Sequence, residues 1–296
     1  MSVNVLISGA SGFVGSALSN ELGAQGHAVR GFSRRPGSDF FIWDPLAGKP
    51  PAAAFEDVDA VIHLAGESVV GLWTQAKRKA IHDSRVDGTK NLVAALADLD
   101  RRPRTLISAS AVGYYGDRGD EELTEDSAPG EGFLTDTCLA WEQAASEAED
   151  LGIRVVRLRI GIVLAAGGGA LGAMHLPFRL GLGGPLGDGK QWSSWITRSD
   201  LIRLISFAIE DDSVTGAVNA TSPEPERQRV FARTLGRVLS RPAFLPAPAF
   251  ALRLILGGFS TELLSSKKVL PRAAESYGFE FDHPSLEPAL REILSG

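Results

Sequence analysis

Three glycines near the start of the chain have a spacing that suits phosphate binding. Gly9, Gly12 and Gly15 follow an apolar run at residues 3–7 and lead into an amphipathic stretch at residues 14–22. A buried strand that turns at once into a helix needs one glycine for the turn, a second for close approach of a pyrophosphate and a third for helix packing. The helix N-terminus then favours an anion. The pattern predicts a dinucleotide-binding turn, and a glycine-rich turn without a ligand is the alternative.

The next polar cluster suggests which dinucleotide is bound. Residues 27–33 have the pattern of a second strand, and they end in Ser33, Arg34 and Arg35. In nucleotide-binding sheets an acidic residue at this point accepts hydrogen bonds from a free ribose 2′-hydroxyl, whereas arginine accommodates a 2′-phosphate. Since no acid is present, the sequence favours NADP(H) over NAD(H). A solvated basic turn is the alternative.

The elements that must position these residues alternate between strand and helix. Further strands are predicted at residues 60–66, 105–110, 153–159 and 217–220, and helices at 74–99, 134–149, 200–210, 226–239, 250–256, 262–270 and 286–294. This alternation predicts an α/β fold with a doubly wound parallel Rossmann sheet and a smaller, mostly helical C-terminal part. We expect residues 1–165, completed by about 193–222, to form the NADP-binding domain. Residues 166–192 and 223–296 would form the smaller substrate-side region.

Composition limits the class of protein. The 296 residues carry a formal net charge of −6, which argues against a nucleic-acid surface. The single cysteine, Cys138, excludes an intrachain disulfide and a zinc site built on several thiolates, so we expect no metal. The N-terminus lacks the pattern of a signal peptide, and prolines with Arg253 mark residues 242–259 as a packing segment, not a membrane span. We expect a cytoplasmic protein with a small-molecule substrate and neither nucleic-acid nor membrane partners, and its oligomeric state is open.

Several motifs resemble those of extended short-chain dehydrogenases/reductases. The blocks are residues 9–15, 63–66, 88–89, 115–116 and 187–190. More specific blocks resemble an atypical branch whose members are labelled epimerase family proteins or nucleoside-diphosphate-sugar epimerases; they are residues 108–116, 141–142, 177–187, 189–192, 195–196 and 241–246. The resemblance spans essentially the whole chain, including a C-terminal domain of unknown function. It implies a bound dinucleotide, although the branch has no established reaction.

The dinucleotide is expected to contact the glycine turn and the carboxyl ends of the neighbouring strands. The expected cofactor-binding residues are Gly9, Ser11, Gly12, Phe13, Val14, Gly15, Ser33, Arg34, Arg35, Leu64, Ala65, Gly66, Arg85, Ser108 and Ala109. At the position of Arg85 the superfamily commonly has an asparagine. Arg85 is therefore expected to bind a phosphate, the ribose or a substrate carboxylate.

The resemblance also removes the usual proton-transfer groups. In the superfamily a tyrosine, activated by a lysine four residues later, moves the hydroxyl proton while a serine or threonine polarises the oxygen. Here Cys138 and Glu142 stand at the tyrosine and lysine positions. A glutamate raises a neighbouring acid's pKa, whereas a lysine lowers it. Ala111 stands at the usual polarising position, with Ser110 beside it.

Other side chains could move a proton in place of the missing pair. The candidates are Ser110, Tyr114, Tyr115, Cys138, Glu142 and His175. His63, alone at a strand end, is interpreted as a core residue. Two functions follow: an NADP(H)-dependent oxidoreductase or epimerase acting on a sugar nucleotide or a small carbonyl or hydroxyl compound, or a non-catalytic NADP(H)-dependent regulator or scaffold.

Two later segments also bear on the site. Glycine-rich stretches at residues 167–169 and 181–189 suggest loops over a pocket, with plain connecting loops as the alternative. After Trp195 and Ile196 the branch usually shows a histidine and two acids, but this chain has residues 197–200 as Thr-Arg-Ser-Asp. Ser199 and Asp200 are interpreted mainly as residues of a helix N-terminus.

Overall fold

The fold is built on a parallel sheet of seven strands. A computed structural model of the protein describes residues 2–34 and 40–295. The strands of the central sheet are β1 (Asn4–Ser8), β2 (Ala28–Ser33), β3 (Phe41–Ile42), β4 (Ala60–His63), β5 (Thr105–Ala111), β7 (Arg154–Ile160) and β11 (Gly216–Ala220), in the order β11-β7-β5-β4-β1-β2-β3. Every neighbouring pair in this sheet is parallel. The predicted doubly wound Rossmann fold is confirmed.

Helices cover both faces of this sheet. They are α1 (Gly15–Ala24), α2 (Gln75–Ala97), α3 (Phe133–Ser146), α4 (Gly169–Arg179), α5 (Arg198–Glu210), α6 (Gln228–Val238), α7 (Ala249–Leu256), α8 (Phe259–Leu264), α9 (Arg272–Ser276) and α10 (Leu286–Ser295). Short 3₁₀ turns occupy Ala52–Phe55, Val112–Tyr115 and Glu149–Leu151.

Alternate residues of β1 face two different cores. Val5 and Ile7 pack with α1 and α5, while Leu6 packs with α2 on the opposite face. All three are fully buried. An apolar run without alternation is therefore what a central parallel strand requires, because both of its faces are covered.

The strand order reverses direction at β1. The chain passes from β1 outward to β2 and β3, then returns to pair β4 on the other side of β1. In open α/β sheets a ligand binds at such a reversal, outside the carboxyl ends of the strands. The glycine turn that follows β1 lies at this point.

A third core supports the smaller part of the molecule. Phe231 and Leu235 of α6 pack with Leu286 and Leu290 of α10, and the fully buried Trp195 joins them. Three two-stranded sheets surround this region. They are β8 (Ile162–Leu164) with β10 (Trp195–Thr197), β9 (Trp192–Ser193) with β12 (Glu226–Arg227), and β6 (Glu122–Leu123) with β13 (Lys268–Val269).

Two predicted elements are shorter than expected. The predicted strand at 60–66 ends at His63, and the predicted helix at 262–270 ends at Leu264. Residues 268–269 instead form β13, whose backbone is held in extended form where the Val269 N–H donates to Ser194 Oγ over 2.9 Å. This partner lies far away in the chain, so local helical periodicity could not reveal it.

The segment at residues 242–259 packs less than predicted. It contains α7, none of whose residues is buried. Phe250 and Leu254 are 73% and 84% exposed. Among the helices of the described residues, none combines the length and the apolar character that crossing a membrane requires.

Candidate functional site

The turn after β1 is built so that its backbone packs closely upon itself. Gly9 has φ +73°, a conformation that glycine adopts without strain, and its carbonyl accepts a 2.9 Å hydrogen bond from the Gly12 N–H. A Cβ on Gly15 would lie 2.1 Å from the Gly9 oxygen, and one on Gly12 would lie 3.0 Å from it. The turn thus needs glycine at positions 9 and 15, and its tight packing matches the predicted phosphate turn.

The other turn residues differ in exposure. Ser11 and Gly12 are exposed, whereas Phe13 and Val14 are half-buried. Val14 precedes the first residue of α1 without a side-chain cap, so N–H groups at this helix end have no side-chain acceptor from Val14. A helix N-terminus without a side-chain cap is suited to an anion.

The segment after β4 lies beneath this turn. A Cβ on Gly9 would lie 3.1 Å from backbone atoms of Leu64 and Ala65, so the two segments of the chain are in close contact. The Ala65 N–H donates to Ser8 Oγ over 3.2 Å, which fixes the segment to β1. Leu64 and Ala65 therefore lie beside the glycine turn, and cofactor binding by residues 64–66 stays a prediction.

His63 is part of the support for the turn. Its Nδ1 lies 2.6 Å from Ser8 Oγ and its Nε2 lies 3.1 Å from Thr89 Oγ1. Complete burial lowers the pKa of this imidazole to about 4. The neutral ring is therefore a hydrogen-bonded core residue, in agreement with the interpretation of the sequence.

The end of β2 has the predicted polar character. Ser33 is buried at the end of the strand, and the next residue, Arg34, is exposed. Arg35 lies outside the described residues. The Glu67 carboxylate accepts a 2.6 Å hydrogen bond from Lys77, which lowers its pKa, and the positive charge of Arg34 contributes a smaller part of that shift. Arg34 is therefore close to the loop that follows β4.

Arg85 supports this same loop from below. Its Nη1 donates to the carbonyl oxygens of Glu67 and Ile81 over 2.9 and 3.1 Å, and its guanidinium carbon lies 5.2 Å from the centre of the Trp141 ring. Burial lowers the pKa of Arg85. A Cβ on Gly66 would lie 3.3 Å from the guanidinium, so the arginine reaches the predicted cofactor segment. The structure thus gives Arg85 a clear role in holding the loop, and ligand binding by it stays a prediction.

The carboxyl-terminal half of β5 is buried. Ser108 Oγ donates to the Ala109 carbonyl oxygen over 3.2 Å, and both residues lie inside the sheet. Ser110 Oγ donates to Glu142 Oε1 over 2.7 Å and is also buried. The hydroxyl of Ser110 is thus directed towards α3 and not towards an open cleft.

Cys138 lies at the tyrosine position of α3 as a packed thiol. Its Sγ donates to the Ala111 carbonyl oxygen over 3.8 Å, and Gly113 lies directly above it. Burial, together with the negative charge of Glu142, raises the pKa of the thiol to about 12. The thiol is therefore protonated at neutral pH, and a thiolate is the form that nucleophilic chemistry requires.

Glu142, at the lysine position, forms a buried ion pair. Its two carboxylate oxygens accept hydrogen bonds of 2.9 and 3.0 Å from Nε and Nη2 of Arg159. The side chains of Arg159 and Glu142 are only 5% and 7% exposed. Together with the bond from Ser110, this paired geometry satisfies the carboxylate.

The ion pair continues into a wider network that the sequence did not reveal. Arg159 Nη1 donates to the Tyr115 hydroxyl over 2.9 Å, and that hydroxyl donates to Asn219 Oδ1 over 2.6 Å. Burial raises the pKa of Tyr115 to about 12. One signal in the sequence could have indicated this network: Arg159 lies within the apolar pattern of β7. A buried charge without a partner is energetically costly, so an arginine there implies an acidic partner.

Tyr114 differs from the other candidates because it is half-buried. The guanidinium carbon of Arg159 lies 3.5 Å from the centre of its ring, and the Tyr115 ring meets it edge-on at 5.2 Å. These contacts fix the ring without using its hydroxyl. His175 lies half-buried on α4, separate from this network.

Two cavities lie near these elements. A 220 Å³ cavity adjoins the turn after β5 and the start of α3; its lining includes Trp73, Arg78, Gly113, Phe133 and Glu262. A larger 460 Å³ groove follows the flank of α1, between Glu21 and Arg203. The smaller cavity adjoins the carboxyl end of a central strand, the end at which ligands bind in open α/β sheets. Within residues 2–34 and 40–295, no three histidine, cysteine or acidic side chains are grouped to hold a metal ion.

The segment after β10 forms the predicted helix start. Thr197 is the N-cap of α5, and its Oγ1 accepts a 3.0 Å hydrogen bond from the Asp200 N–H. Asp200 lies in the first helical turn, as predicted. Its buried carboxylate also accepts N–H bonds from Asp282 and His283, which fixes the segment before α10.

The residues present fit a dinucleotide. At the glycine turn the backbone packs so closely that a side chain at Gly15 would collide with Gly9, which leaves the backbone open to a pyrophosphate. The N-terminus of α1, which favours an anion, follows directly. Arg34 supplies the charge expected for a 2′-phosphate. The fit covers the binding residues, whereas the positions at which the resemblance places the usual catalytic pair hold the buried Cys138 and the carboxylate of the Glu142–Arg159 ion pair.

Comparison with known proteins places the chain in a family. The model of the NAD dependent epimerase/dehydratase family matches residues 5–220, and a domain of unknown function, DUF1731, matches residues 247–293. An epimerase family protein of Mycobacterium tuberculosis is 40% identical over 290 residues, which cover 97% of this chain and 96% of the relative. The corresponding protein YfhF of Bacillus subtilis is 36% identical over 300 residues, covering 99% and 98%.

A solved structure extends the comparison to three dimensions. The crystal structure of the human epimerase family protein SDR39U1, isoform 2, with NADPH superimposes with a TM-score of 0.91 and 36% sequence identity. The match covers 99% of this chain and 100% of the human chain. The chain therefore belongs to the NAD dependent epimerase/dehydratase family.

Proposed function

We propose that the protein binds NADP(H) and uses it for oxidoreductase or epimerase chemistry on a small carbonyl or hydroxyl compound, which includes sugar nucleotides. The observation that carries the proposal is the glycine turn, whose backbone leaves no room for a side chain at Gly15, with Arg34 at the end of β2 in place of an acid. The human relative crystallised with NADPH supports the choice of dinucleotide. The proposal includes a cytoplasmic location, in keeping with a free, buried Cys138.

Different residues of the chain would bind different parts of the dinucleotide. N–H groups at the start of α1 would hold the pyrophosphate, and Arg34 would pair with the 2′-phosphate. The loop after β4, fixed by Arg85 through the Glu67 carbonyl oxygen, would lie beneath the dinucleotide. When bound, the nicotinamide supplies or accepts a hydride.

Among the candidates, Tyr114 would be the proton-transferring group, because its side chain is the one left half-buried outside the hydrogen-bonded network. Its ring is fixed on Arg159, its hydroxyl is not part of the buried network, and the residue is half-buried. Cys138 would keep its proton at neutral pH, and Glu142 is occupied by Arg159 and Ser110. Tyr114 would therefore hold a proton at its hydroxyl and exchange it with the substrate oxygen.

A non-catalytic regulator is the second candidate function. The observation in its favour is that the position of the usual lysine carries a carboxylate committed to a buried ion pair. A protein of this kind would keep the binding turn and lose the proton-transfer chemistry. Bound NADP(H) would then stabilise the fold by mass action and control an interaction surface.

Turnover separates the two functions. NADPH oxidation is measured at saturating NADPH against a panel of sugar nucleotides and small aldehydes and ketones, and sugar-nucleotide epimerisation is followed in parallel. We expect turnover in the wild type and a fall in kcat of about 100-fold or more in Tyr114→Phe, the usual scale of general acid–base catalysis. Tyr277→Phe, a change at a tyrosine remote from this site, is the control. Absence of turnover with NADPH bound would favour the regulator, and an active Tyr114→Phe enzyme would exclude Tyr114.

The choice of NADP(H) has its own test. Arg34→Glu is expected to weaken NADPH binding by about 10- to 100-fold, since a charge-assisted hydrogen bond contributes about 1.5–3 kcal/mol. NADH binding should change much less, because NADH lacks the 2′-phosphate. Calorimetric titration of both dinucleotides measures the two affinities, with Arg233→Glu on exposed helix surface as the matched control. Equal losses for the two dinucleotides would contradict the assignment.

A further inference from the structure

Phe13 connects the glycine turn to two segments that lie far along the chain. The guanidinium carbon of Arg198 lies 4.9 Å from the centre of the Phe13 ring. Nη1 of the same arginine donates a 3.3 Å hydrogen bond to the Phe13 carbonyl oxygen. Arg198 therefore contacts both the side chain and the backbone of this residue of the turn.

The backbone of the loop after β8 also lies against the Phe13 ring. A Cβ on Gly168 would lie 2.6 Å from Cε2 of Phe13, and one on Gly169 would lie 2.9 Å from Cε1. The two glycines thus allow the loop to lie directly on the ring. Gly168 has extended backbone, so only the ring excludes a larger residue there, whereas Gly169 has φ +58°.

One pair of strands positions both contacts. Strands β8 and β10 are parallel, and Leu164 pairs with Thr197 at their carboxyl ends. The loop to Gly168 leaves the first strand and Arg198 follows the second directly, so both begin at the same edge of this small sheet. The pair of strands therefore presents both contacts to Phe13 together.

We propose that Phe13, clamped by Arg198 and the Gly168–Gly169 backbone, holds the glycine turn in its binding conformation and slows release of the dinucleotide. The inference rests on the proposed binding of NADP(H) at this turn. Arg198 acts through Phe13 and is a positioning residue. A cation over an aromatic ring is a favourable contact, and a turn held in its bound conformation loses less entropy when the ligand binds.

The dissociation rate of NADPH measures the clamp. Stopped-flow fluorescence follows NADPH release from the wild type, Arg198→Ala and Arg198→Lys. We expect Arg198→Ala to release NADPH about 10-fold faster, because changes in affinity among variants of one site appear mainly in the dissociation rate. Arg198→Lys keeps the positive charge without the planar guanidinium, so its rate should lie between the two.

Two controls separate the clamp from a general effect. Arg233→Ala removes one exposed positive charge elsewhere and should leave the rate unchanged. Adenosine 2′-monophosphate lacks the pyrophosphate and the nicotinamide, so its affinity should change by less than about twofold in Arg198→Ala. A comparable loss for both ligands would indicate general disruption of the fold and would overturn the proposal.

A double-mutant cycle tests the contact itself. Gly168→Ala should speed NADPH release, because the new methyl group displaces the Phe13 ring, whereas Gly172→Ala on the same segment meets only ordinary contacts. In a Phe13→Ala background Gly168→Ala should add less than about a twofold change. Additive effects would overturn the clamp.

A wild-type protein that binds no NADPH would overturn the proposed function as well, whereas normal binding with unchanged release rates in all variants would overturn the clamp alone.

Discussion

The glycine turn and the middle of α3 lie at the same edge of the sheet, yet they have diverged to different degrees from the pattern of the superfamily. The turn keeps all three glycines, and each has a steric reason to be there. On α3, the positions of the usual tyrosine and lysine hold Cys138 and Glu142, which are directed into the protein. The residues expected to bind the dinucleotide and those expected to transfer a proton therefore differ in how closely they follow that pattern.

The physical basis of each region explains the contrast. The shape of the turn depends on the absence of side chains at Gly9, Gly12 and Gly15, so it is set by close backbone packing. The α3 site depends on which side chains are present, and Arg159 on the neighbouring strand pairs with Glu142. The Glu142 carboxylate can be buried there because Arg159 on that strand supplies the compensating charge.

The largest expected effect is on stability, from Glu142→Ala. The change leaves Arg159 buried without its carboxylate, which is expected to cost about 3–5 kcal/mol in the free energy of unfolding. Urea unfolding measures this cost, and Glu147→Ala, an exposed acid after the same helix, is the control. NADPH affinity should change little under conditions where the variant is folded. A stable variant without activity would instead indicate that Glu142 takes part in catalysis.

Gly15→Ala adds a side chain to the glycine turn, whereas Glu142→Ala removes one from α3. Its methyl group would lie 2.1 Å from the Gly9 oxygen, so the turn could not keep its binding geometry. We expect a cost of about 3 kcal/mol, the upper end for overpacking, which corresponds to a loss of roughly 100-fold in NADPH affinity. Titration of NADPH fluorescence measures the loss. The matched control is Gly23→Ala, also on α1, where a methyl group meets no atom within 4 Å. Unchanged affinity in Gly15→Ala would exclude the turn as the binding site.

Acid should weaken the support of the turn. The pKa of His63 is about 4 in the folded protein and 6.5 ordinarily, so the unfolded chain binds more protons between these values. The stabilising contribution is present above pH 6.5 and is lost as the pH falls towards 4, by about 2 kcal/mol between pH 7 and pH 5. Urea unfolding at both pH values should show this loss in the wild type and a smaller one in His63→Asn. His175→Asn is the control, and an equal pH dependence in wild type and His63→Asn would contradict the assignment.

The smallest effect is expected from Cys138→Ala. Replacing this packed thiol by a methyl group should cost about 1 kcal/mol of stability, at the low end for buried large-to-small changes. NADPH affinity and any turnover should be preserved, because the thiol stays protonated. The assay is the carbonyl panel described above. A loss of turnover with normal binding would restore Cys138 as a catalytic residue.

Local patterns were sufficient to predict the turn and most of the sheet. Glycine spacing, an apolar run and a following amphipathic stretch all lie within about twenty residues, and each has one dominant structural explanation. The basic end of β2 was predictable for the same reason. The departures at Cys138 and Glu142 follow only from the resemblance, because no local pattern marks these positions of α3.

The roles of those substituted residues depended on contacts between distant parts of the chain. Arg159 pairs with Glu142 and binds Tyr115, which are 17 and 44 positions away. The sequence offered two tyrosines without distinguishing them, whereas the fold buries Tyr115 in the network and leaves Tyr114 half-buried. The clamp on Phe13 joins positions 185 residues apart, and no periodic pattern encodes such a contact.

The pairing of β6 with β13 has a consequence for how the chain is made. Lys268 Nζ donates to Glu122 Oε1 over 2.7 Å, across 146 positions of sequence, and Leu123 of β6 is fully buried. At synthesis rates of 5–20 residues per second, the partner strand is translated about 7–30 s after Leu123. During that interval residues 122–123 lack their partner strand, and Leu123 lacks its packing against Val269. The C-terminal residues therefore complete the folding of a segment that was translated much earlier.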